Sequence, residues 1–578
     1  MKLIAAEIRK HRLCFRLIRA LTVGKNGLAI KQKERNIPPM KKLLSLLLAG
    51  ALALSLVACG SSEPAPAPSE GGESAATTAK SPDNDIVVAL QADTTSMDPH
   101  VGSNGISNQI LNEVYETLLT FDENTNVVPL LAKEWSVSED GRTYTFVLNE
   151  GIKFHDGEPF NAESVVAVYE RGLRDDSLTL KRTIGTTDAP IWESVVAVDE
   201  YTVAITLVKP NNTFINKICQ FRIASPKAMA MENATDWFAK NSAGTGPFIY
   251  TERVDGGYTK LVRNPDYWQA GPTVDSLTFT VVPEDTSRIA MLKTGEADVI
   301  TPVPVMDVAQ LDGQEGIETV VAPATVYRYV TLNTEFAFAD GTKPFADKRV
   351  RQALNYAFDS EAYAKVVFNG FAKAPTSVFS DSIYYFAEQT PYTADLEKAK
   401  QLMAEAGFPD GFEEEIEIVV DNTTIEQKGA EFVKQQLAQI GVKVKLLPNE
   451  STANAEITSA PLEETKVQMW YVNWSSGSYE ADGSMRSILH GDKFPPNGYN
   501  TAFWNNAEFN QLLDDALLMA DTEEIAAAYA KAQAIAWDEC PWIFLGNDQN
   551  IHAQRSYVTG MQYKPGGVMV FRTIGLDH

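Results

Sequence analysis

From Thr143 to Leu148 the chain reads Thr-Tyr-Thr-Phe-Val-Leu, so Tyr144, Phe146 and Leu148 fall on one face, behind an Asp140-Gly141 turn. Alternation of this kind predicts a half-buried strand. Val203, Ile205 and Leu207 repeat the pattern and Pro210 ends it. Ile86–Leu90 predicts a short apolar strand, followed by a polar loop over Gln91–His100. The period then changes. Ile106, Ile110, Val114 and Leu118 recur at helical intervals, as do Val350, Ala353, Leu354 and Ala357, and later Phe509, Leu512, Leu513 and Ala516. In Asp395–Pro409 the apolar face is Ala399, Leu402, Met403 and Ala406. Asp395 caps its start, Gly407 takes the left-handed stop, and Pro409 prevents continuation. Asp521 and Glu524 form a capping-box pattern before a further helix. Strand and helix signals are interleaved throughout, which predicts the mixed α/β class.

One apolar run has neither period. Leu43–Ala58 is uncharged, follows Met40-Lys41-Lys42, and falls short of the ~20 apolar residues of a spanning helix. This is the layout of a secretory signal over residues 40–58. Leu56-Val57-Ala58-Cys59 resembles the lipobox of bacterial lipoproteins, which implies lipidation of Cys59 and its emergence as the mature N-terminus. Residues 59–84 are rich in Ser, Pro, Ala, Gly and Glu and contain no aromatic residue, the composition of a flexible tether. Residues 1–39 are basic and precede a signal with its own Met, so they are expected to be a mis-assigned extension.

The net charge of −26 conceals an asymmetry, because residues 1–58 hold 12 of the 50 basic and 2 of the 76 acidic side chains. From Cys59 onward 38 basic residues face 74 acidic ones, a balance near −36. A surface so acidic repels phosphate backbones and excludes nucleic acid as a partner. The length beyond the tether predicts two or three domains rather than one core. Past Cys59 only Cys219 and Cys540 remain, too few for a disulfide scaffold, and two separate thiols are expected.

Catalytic and metal signatures are missing: there is no HExxH, CxxC, GxSxG or GxxxxGK[ST]. No cofactor or metal is expected, and the six histidines do not cluster. Gly244–Phe248 (GTGPF) is too short for a dinucleotide fingerprint and predicts a turn entering a strand. Aromatic and polar residues concentrate in Val467–Gly491. There Trp470, Trp474 and Tyr479 can wall a cleft, Ser475 can orient a ligand, and Glu480 or Asp482 can receive an ammonium.

The stretch LAKEWSVSEDGRTYTFVLNEGIKFHDGEPFNAESV resembles the defining segment of the extracellular solute-binding family 5 proteins, ligand receptors of ABC importers. GTGPF, RNPDYW, AMLKTGEADV, KRVRQALNYAFD and DLEKAKQLMAEAGFP extend the resemblance over nearly the whole chain from Ile86. NWSSGSYEADGSMRSIL, NTAFWNNAEFNQLLDDAL and ECPWIFL resemble the glutathione-binding branch most. The resemblance implies a two-lobe type II periplasmic-binding-protein fold with an extra subdomain in lobe one, and no enzymatic activity. Mapped onto this chain, lobe one takes residues 85–121, 246–330 and 546–578, the subdomain 122–245, and lobe two 331–545. It further implies glutathione or a small peptide as ligand, ABC permease subunits as partners, a monomer, and attachment outside the cell membrane through the lipid. A dipeptide or a nickel chelate is the alternative ligand, with His490 nearest to a metal role. A surface hydrolase is the remaining alternative, disfavoured because no catalytic constellation is visible. Glutathione carries two carboxylates and one ammonium, so cations are needed in the cleft. Arg222 and Arg328 are the candidates, Glu480 and Asp482 are expected to take the ammonium, and Thr95, Thr245, Trp470, Trp474 and Ser475 to line the pocket. Dipeptide-binding relatives place an arginine before the helix that here reads EQKGAEFVKQQL, whereas this chain has Asn422, Thr423 and Thr424. That departure favours glutathione over a standard dipeptide.

Overall fold

The structure is a computed structural model that describes residues 84–101, 105–175, 178–186, 188–564 and 566–577. The expected leader, signal and tether, Cys59 included, lie outside the described residues except for Asn84. Strand and helix alternate as the periodicity predicts, except that the helix carrying Ile106, Ile110 and Val114 ends at Val114 and leaves Leu118 outside it. Tyr144, Phe146 and Leu148 are buried along the strand Thr143–Leu148, and Val203, Ile205 and Leu207 along Thr202–Leu207. Both belong to an antiparallel four-stranded sheet with Ala132–Val137 and Trp192–Asp199 on its edges.

An eleven-stranded mixed sheet organises the rest. Its central pair is Ile317–Leu332 and Trp542–Arg555, two long antiparallel strands paired from Ile317–Arg555 to Thr331–Trp542. At one end Trp542–Arg555 pairs with Val299–Thr301, and Asp85–Leu90, Ser276–Val281, Tyr258–Arg263 and Phe248–Val254 follow outward. At the other end Ile317–Leu332 pairs with Met469–Trp474, followed by Ile416–Asp421 and Val444–Asn449. The register between the central strands breaks twice, between Pro323 and Tyr327 and between Arg328 and Tyr329. The first break falls where the sheet passes from one group of flanking strands to the other, and the second lies just inside the stretch paired with Met469–Trp474.

Burial follows the same division. One apolar cluster runs from Ile86 through Phe279 and closes with Val558–Ile574 of the C-terminal segment. Two others are built from residues 327–545, one around Leu354, Val433 and Tyr471 and one around Met485, Leu513 and Trp542. Helix ends obey local chemistry. Asp347, Asp395 and Asp521 each accept from backbone N–H groups one turn inside their helices, and Gly407 is left-handed at φ +96°. Thr423 caps the helix Thr424–Ala438, with its hydroxyl 3.4 Å from the Glu426 N–H. Gly244 and Gly246 are required by close approach. A Cβ on either would lie 1.8 Å and 2.4 Å from the carbonyl oxygens of Val114 and Glu113, where the helix Gly105–Val114 ends. Cys219 and Cys540 are free thiols, as expected.

Candidate ligand cavity between the two groups of strands

The GTGPF turn presses against the end of Gly105–Val114, whose two faces differ in kind. Ile110 and Val114 point into the core, while Asn108 and Asn112, also four apart, line a cavity of about 240 Å³. The cavity is walled by this helix and the segment after it, by Cys219–Arg222, by the C-terminal hairpin Gln562–Val570, and by Gly477 and Tyr479 from across the molecule. Three contacts join its two sides. Gln220 Nε2 donates to the Gly477 carbonyl at 2.7 Å, Asn216 Nδ2 to the Ser478 carbonyl at 3.0 Å, and the Tyr479 ring meets Phe121 edge-on at 5.1 Å. Tyr479 is held in the left-handed region, at φ +51°. Its hydroxyl lies 2.6 Å from where a Cβ on Gly566 would sit, so the hairpin approaches it closely only because that residue is glycine.

Arg222 is 9% exposed and donates only to neutral acceptors. Its Nη2 reaches Asn108 Oδ1 and Asn112 Oδ1, both at 2.8 Å, and its Nε reaches Asn112 Oδ1 at 3.2 Å. No carboxylate among the described residues pairs with it, and burial pushes its guanidinium down to about 10. Lys564 is similar: its Nζ donates to Thr120 Oγ1 at 3.3 Å and to the Phe121 carbonyl, and burial followed by the nearby Arg572 pushes it down to about 8. The acids on this wall are differently placed. Glu116 accepts from Thr245, Tyr267 and Trp268 at 2.8–2.9 Å and from Arg572 at 3.2 Å. Glu113 accepts from the Phe571 N–H at 3.3 Å, and burial raises its carboxyl to about 7. The wall therefore presents positive charge, suited to an anion.

Of the residues expected to bind ligand, Arg222 lines this cavity, and Tyr479 supplies the aromatic wall. The others are placed elsewhere. Thr245 is buried behind the wall, donating to Glu116. Thr95 is exposed and bonds Ser107 at 3.0 Å and 3.2 Å. Trp470 is half-buried in the strand Met469–Trp474, opposite Thr331, and Trp474 at its end packs on Tyr499 with ring centres 5.3 Å apart. Ser475 is exposed and bonds Thr325 at 2.7 Å.

The charged candidates have their polar atoms taken up by partners within the protein. Glu480 caps the helix Ala481–Leu489, accepting from the Asp482 and Gly483 N–H groups at 2.6 Å and 3.0 Å and from Ser478 Oγ at 2.7 Å. Asp482 is clamped by Arg486, Nη2 at 2.9 Å and Nε at 3.0 Å. Arg328 is gripped from two sides, by Asp548 at 2.7 Å and Glu426 at 2.6 Å. His490, the candidate nearest a metal role, bonds Asp492 at 2.5 Å, and no cluster of three metal-binding side chains occurs among the described residues.

Asn108, Asn112, Lys564 and Arg572 were not anticipated. The asparagine pair had a readable signal, its four-residue spacing opposite Ile106, Ile110 and Val114. Lys564 and Arg572 had none, since only the return of the C-terminal hairpin brings them to the cavity.

In sequence and in fold the chain is similar to known binding proteins. A glutathione-binding protein, GsiB of Salmonella typhimurium, is 34% identical over 487 residues, covering 83% of this chain and 92% of that protein. HbpA2 from Haemophilus parasuis superposes with a TM-score of 0.75 at 28% identity, over 86% of this chain and all of that one. DppA from Helicobacter pylori, in complex with the peptide STSA, gives a TM-score of 0.67 at 28% identity over 86% and 98%. Residues 126–495 match the middle part of the bacterial extracellular solute-binding proteins of family 5, and it is to this family that the chain belongs.

Proposed function

We propose that this protein, a solute-binding component of an ABC importer and not an enzyme, captures glutathione or a comparably small anionic peptide in the cavity that Arg222 lines. The observation that carries the reading is Arg222 itself. It is a buried cation held by two carboxamides inside a cavity bridged from both sides. A buried charge without a counterion is costly, and a ligand carboxylate removes that cost where no side chain does. The GsiB relatives supply the choice of ligand, as does Asn422-Thr423-Thr424 where dipeptide-binding relatives have an arginine. In this reading residues 85–121, 246–330 and 546–578 form one lobe with 122–245 as its subdomain, and 331–545 form the other. The lobes separate and close about the central strands, Cys59 carries the lipid, and a monomer docks on the permease.

The test is a thermal-shift panel on the purified protein with glutathione, glutathione disulfide, dipeptides and nickel-histidine. A ligand at about a hundred times its dissociation constant stabilises by ~2.7 kcal/mol, well within reach of a melt. A shift with either glutathione form is expected. A clear shift with a dipeptide or nickel-histidine beside none with glutathione would overturn the ligand choice. Mass analysis of the membrane-extracted protein tests the anchor, where an unmodified Cys59 would remove it.

A further inference from the structure

Arg222 answers for one anionic group, yet the cavity wall holds a second cation that makes no ion pair with a carboxylate among the described residues. Lys564 lies on the strand Gln562–Lys564, which pairs with Val568–Val570 as a hairpin. The same hairpin carries Arg572 just beyond it, and the two cations are treated differently. Arg572 meets Glu116, which is held by three further donors. Lys564 meets a threonine hydroxyl and a backbone carbonyl, and has no carboxylate partner among the described residues. Glu113 is the carboxyl beside both, and its hydrogen-bond donor is the backbone of Phe571. Burial raises its carboxyl to about 7, and it makes no hydrogen bond to Lys564. Arg222 arrives from the segment after the helix Phe214–Ile218 and Lys564 from the end of the chain, so the two charges stand on different elements of one cavity.

We propose that Lys564 is a second anion-binding residue of this cavity and that it makes the protein select ligands carrying two carboxylates over ligands carrying one. This rests on the reading of the chain as a receptor for small anionic peptides. It goes beyond that reading by assigning the selectivity to one residue. Lys564 is suited to the task because an ammonium can donate to a carboxylate from many directions, whereas the Arg222 fork is fixed by Asn108 and Asn112.

The experiment measures affinity for two ligand pairs that differ by one carboxylate: glutathione against its glycine monoethyl ester, and Ala-Glu against Ala-Gln. Titration calorimetry on the full protein is expected to give about a 10- to 100-fold preference for the diacid in at least one pair, the range of one charged hydrogen bond. Lys564→Met should collapse that ratio to within about threefold while keeping the monoacid affinity, and Lys564→Arg should retain most of it. Lys564→Met that keeps the preference, or a parent protein with none in either pair, overturns the proposal. A variant that binds neither member while remaining folded assigns Lys564 a structural role, and Lys564→Arg failing alike confirms that loss. Failure of glutathione alone, with Ala-Glu still preferred over Ala-Gln, sinks only the choice of glutathione. Failure of all four ligands sinks the functional reading together with this one.

Discussion

Arg222 and Arg328 are buried almost equally, 9% and 8% exposed, and both were candidates for a ligand carboxylate. Their surroundings separate them. Arg328 donates through Nε to both oxygens of Asp548 and through Nη1 to both oxygens of Glu426, and it lies over the Phe368 ring at 5.0 Å. Burial alone would lower its guanidinium, but Asp548, Tyr471 and Glu426 around it outweigh that and hold it well above the ordinary value. Arg222 has the same burial and only carboxamide acceptors, so the burial effect wins and it is pushed down. A buried arginine is thus a binding candidate according to what the protein leaves unpaired around it, not according to its depth. Arg328 sits at the second register break of the central strands, tying the helix Thr424–Ala438 to the strand Trp542–Arg555. It is a structural clamp.

The comparison breaks most sharply at Arg328. Arg328→Met leaves the half-buried carboxylates of Glu426 and Asp548, 13% and 17% exposed, without their counterion. Removing one partner of a fully buried pair costs about 3–5 kcal/mol, and the partial exposure of these two lowers the expected loss to about 2–3 kcal/mol. Urea unfolding of the ligand-free protein should register that loss. A triple variant, Arg328→Met with Glu426→Gln and Asp548→Asn, should recover most of it, because the orphaned charge has gone. A single variant as stable as the parent would make Arg328 no clamp and would return it to the list of ligand-binding groups.

Arg222→Met should do the reverse. Asn108 and Asn112 are only half-buried and can turn to water, so ligand-free stability is expected to stay within about 1 kcal/mol of the parent. Ligand affinity should fall by about 1.5–3 kcal/mol, the worth of a hydrogen bond to a charged group. Calorimetry with the best ligand of the thermal-shift panel checks both halves. Unchanged affinity would remove Arg222 from the site and with it the observation on which the functional reading stands.

The same contrast explains what could be read in the residues beforehand. The alternation of Tyr144, Phe146 and Leu148 and the caps at Asp395 and Asp521 were legible because their causes lie within a few residues. The cap made by Glu480 is equally local, two and three residues long, and was readable as a reason to remove it from the ligand-binding candidates. Arg222, expected at the cleft, lines the cavity, while the asparagines that hold it stand 110 and 114 residues before it. The partners of Arg328 stand 98 and 220 residues away, so nothing near it announced the neutralisation. Lys564 lies 342 residues beyond Arg222 and becomes its neighbour in the cavity only through the closing hairpin. Local chemistry forms the elements, whereas charge pairing is decided by contacts across the whole sheet.

The smallest effect compares the carboxyls of the two sides, Glu113 on the cavity wall and Glu480 behind Tyr479. Burial raises both to about 7, with Asp482 adding to the shift at Glu480. A carboxyl whose folded value lies above its unfolded one keeps its proton in the folded state between about pH 4.5 and 7, where the unfolded chain has released it. Its contribution is therefore most favourable at and below about 4.5, declines as pH rises toward 7, and is constant beyond. One proton bounds the slope at about 1.4 kcal/mol per pH unit. Glu480→Gln keeps an acceptor for the Asp482 and Gly483 N–H groups and removes the titration. Urea unfolding at pH 5, 6, 7 and 8 should show the parent losing stability relative to this variant between pH 5 and 7, and a constant gap from 7 to 8. Ligand affinity at a fixed pH should be unaltered, since Glu480 does not line the cavity, whereas Glu113→Gln should change it. Parallel stability profiles would mean that the cap holds Glu480 ionised, and a changed affinity would return it to the ligand-binding side of the comparison.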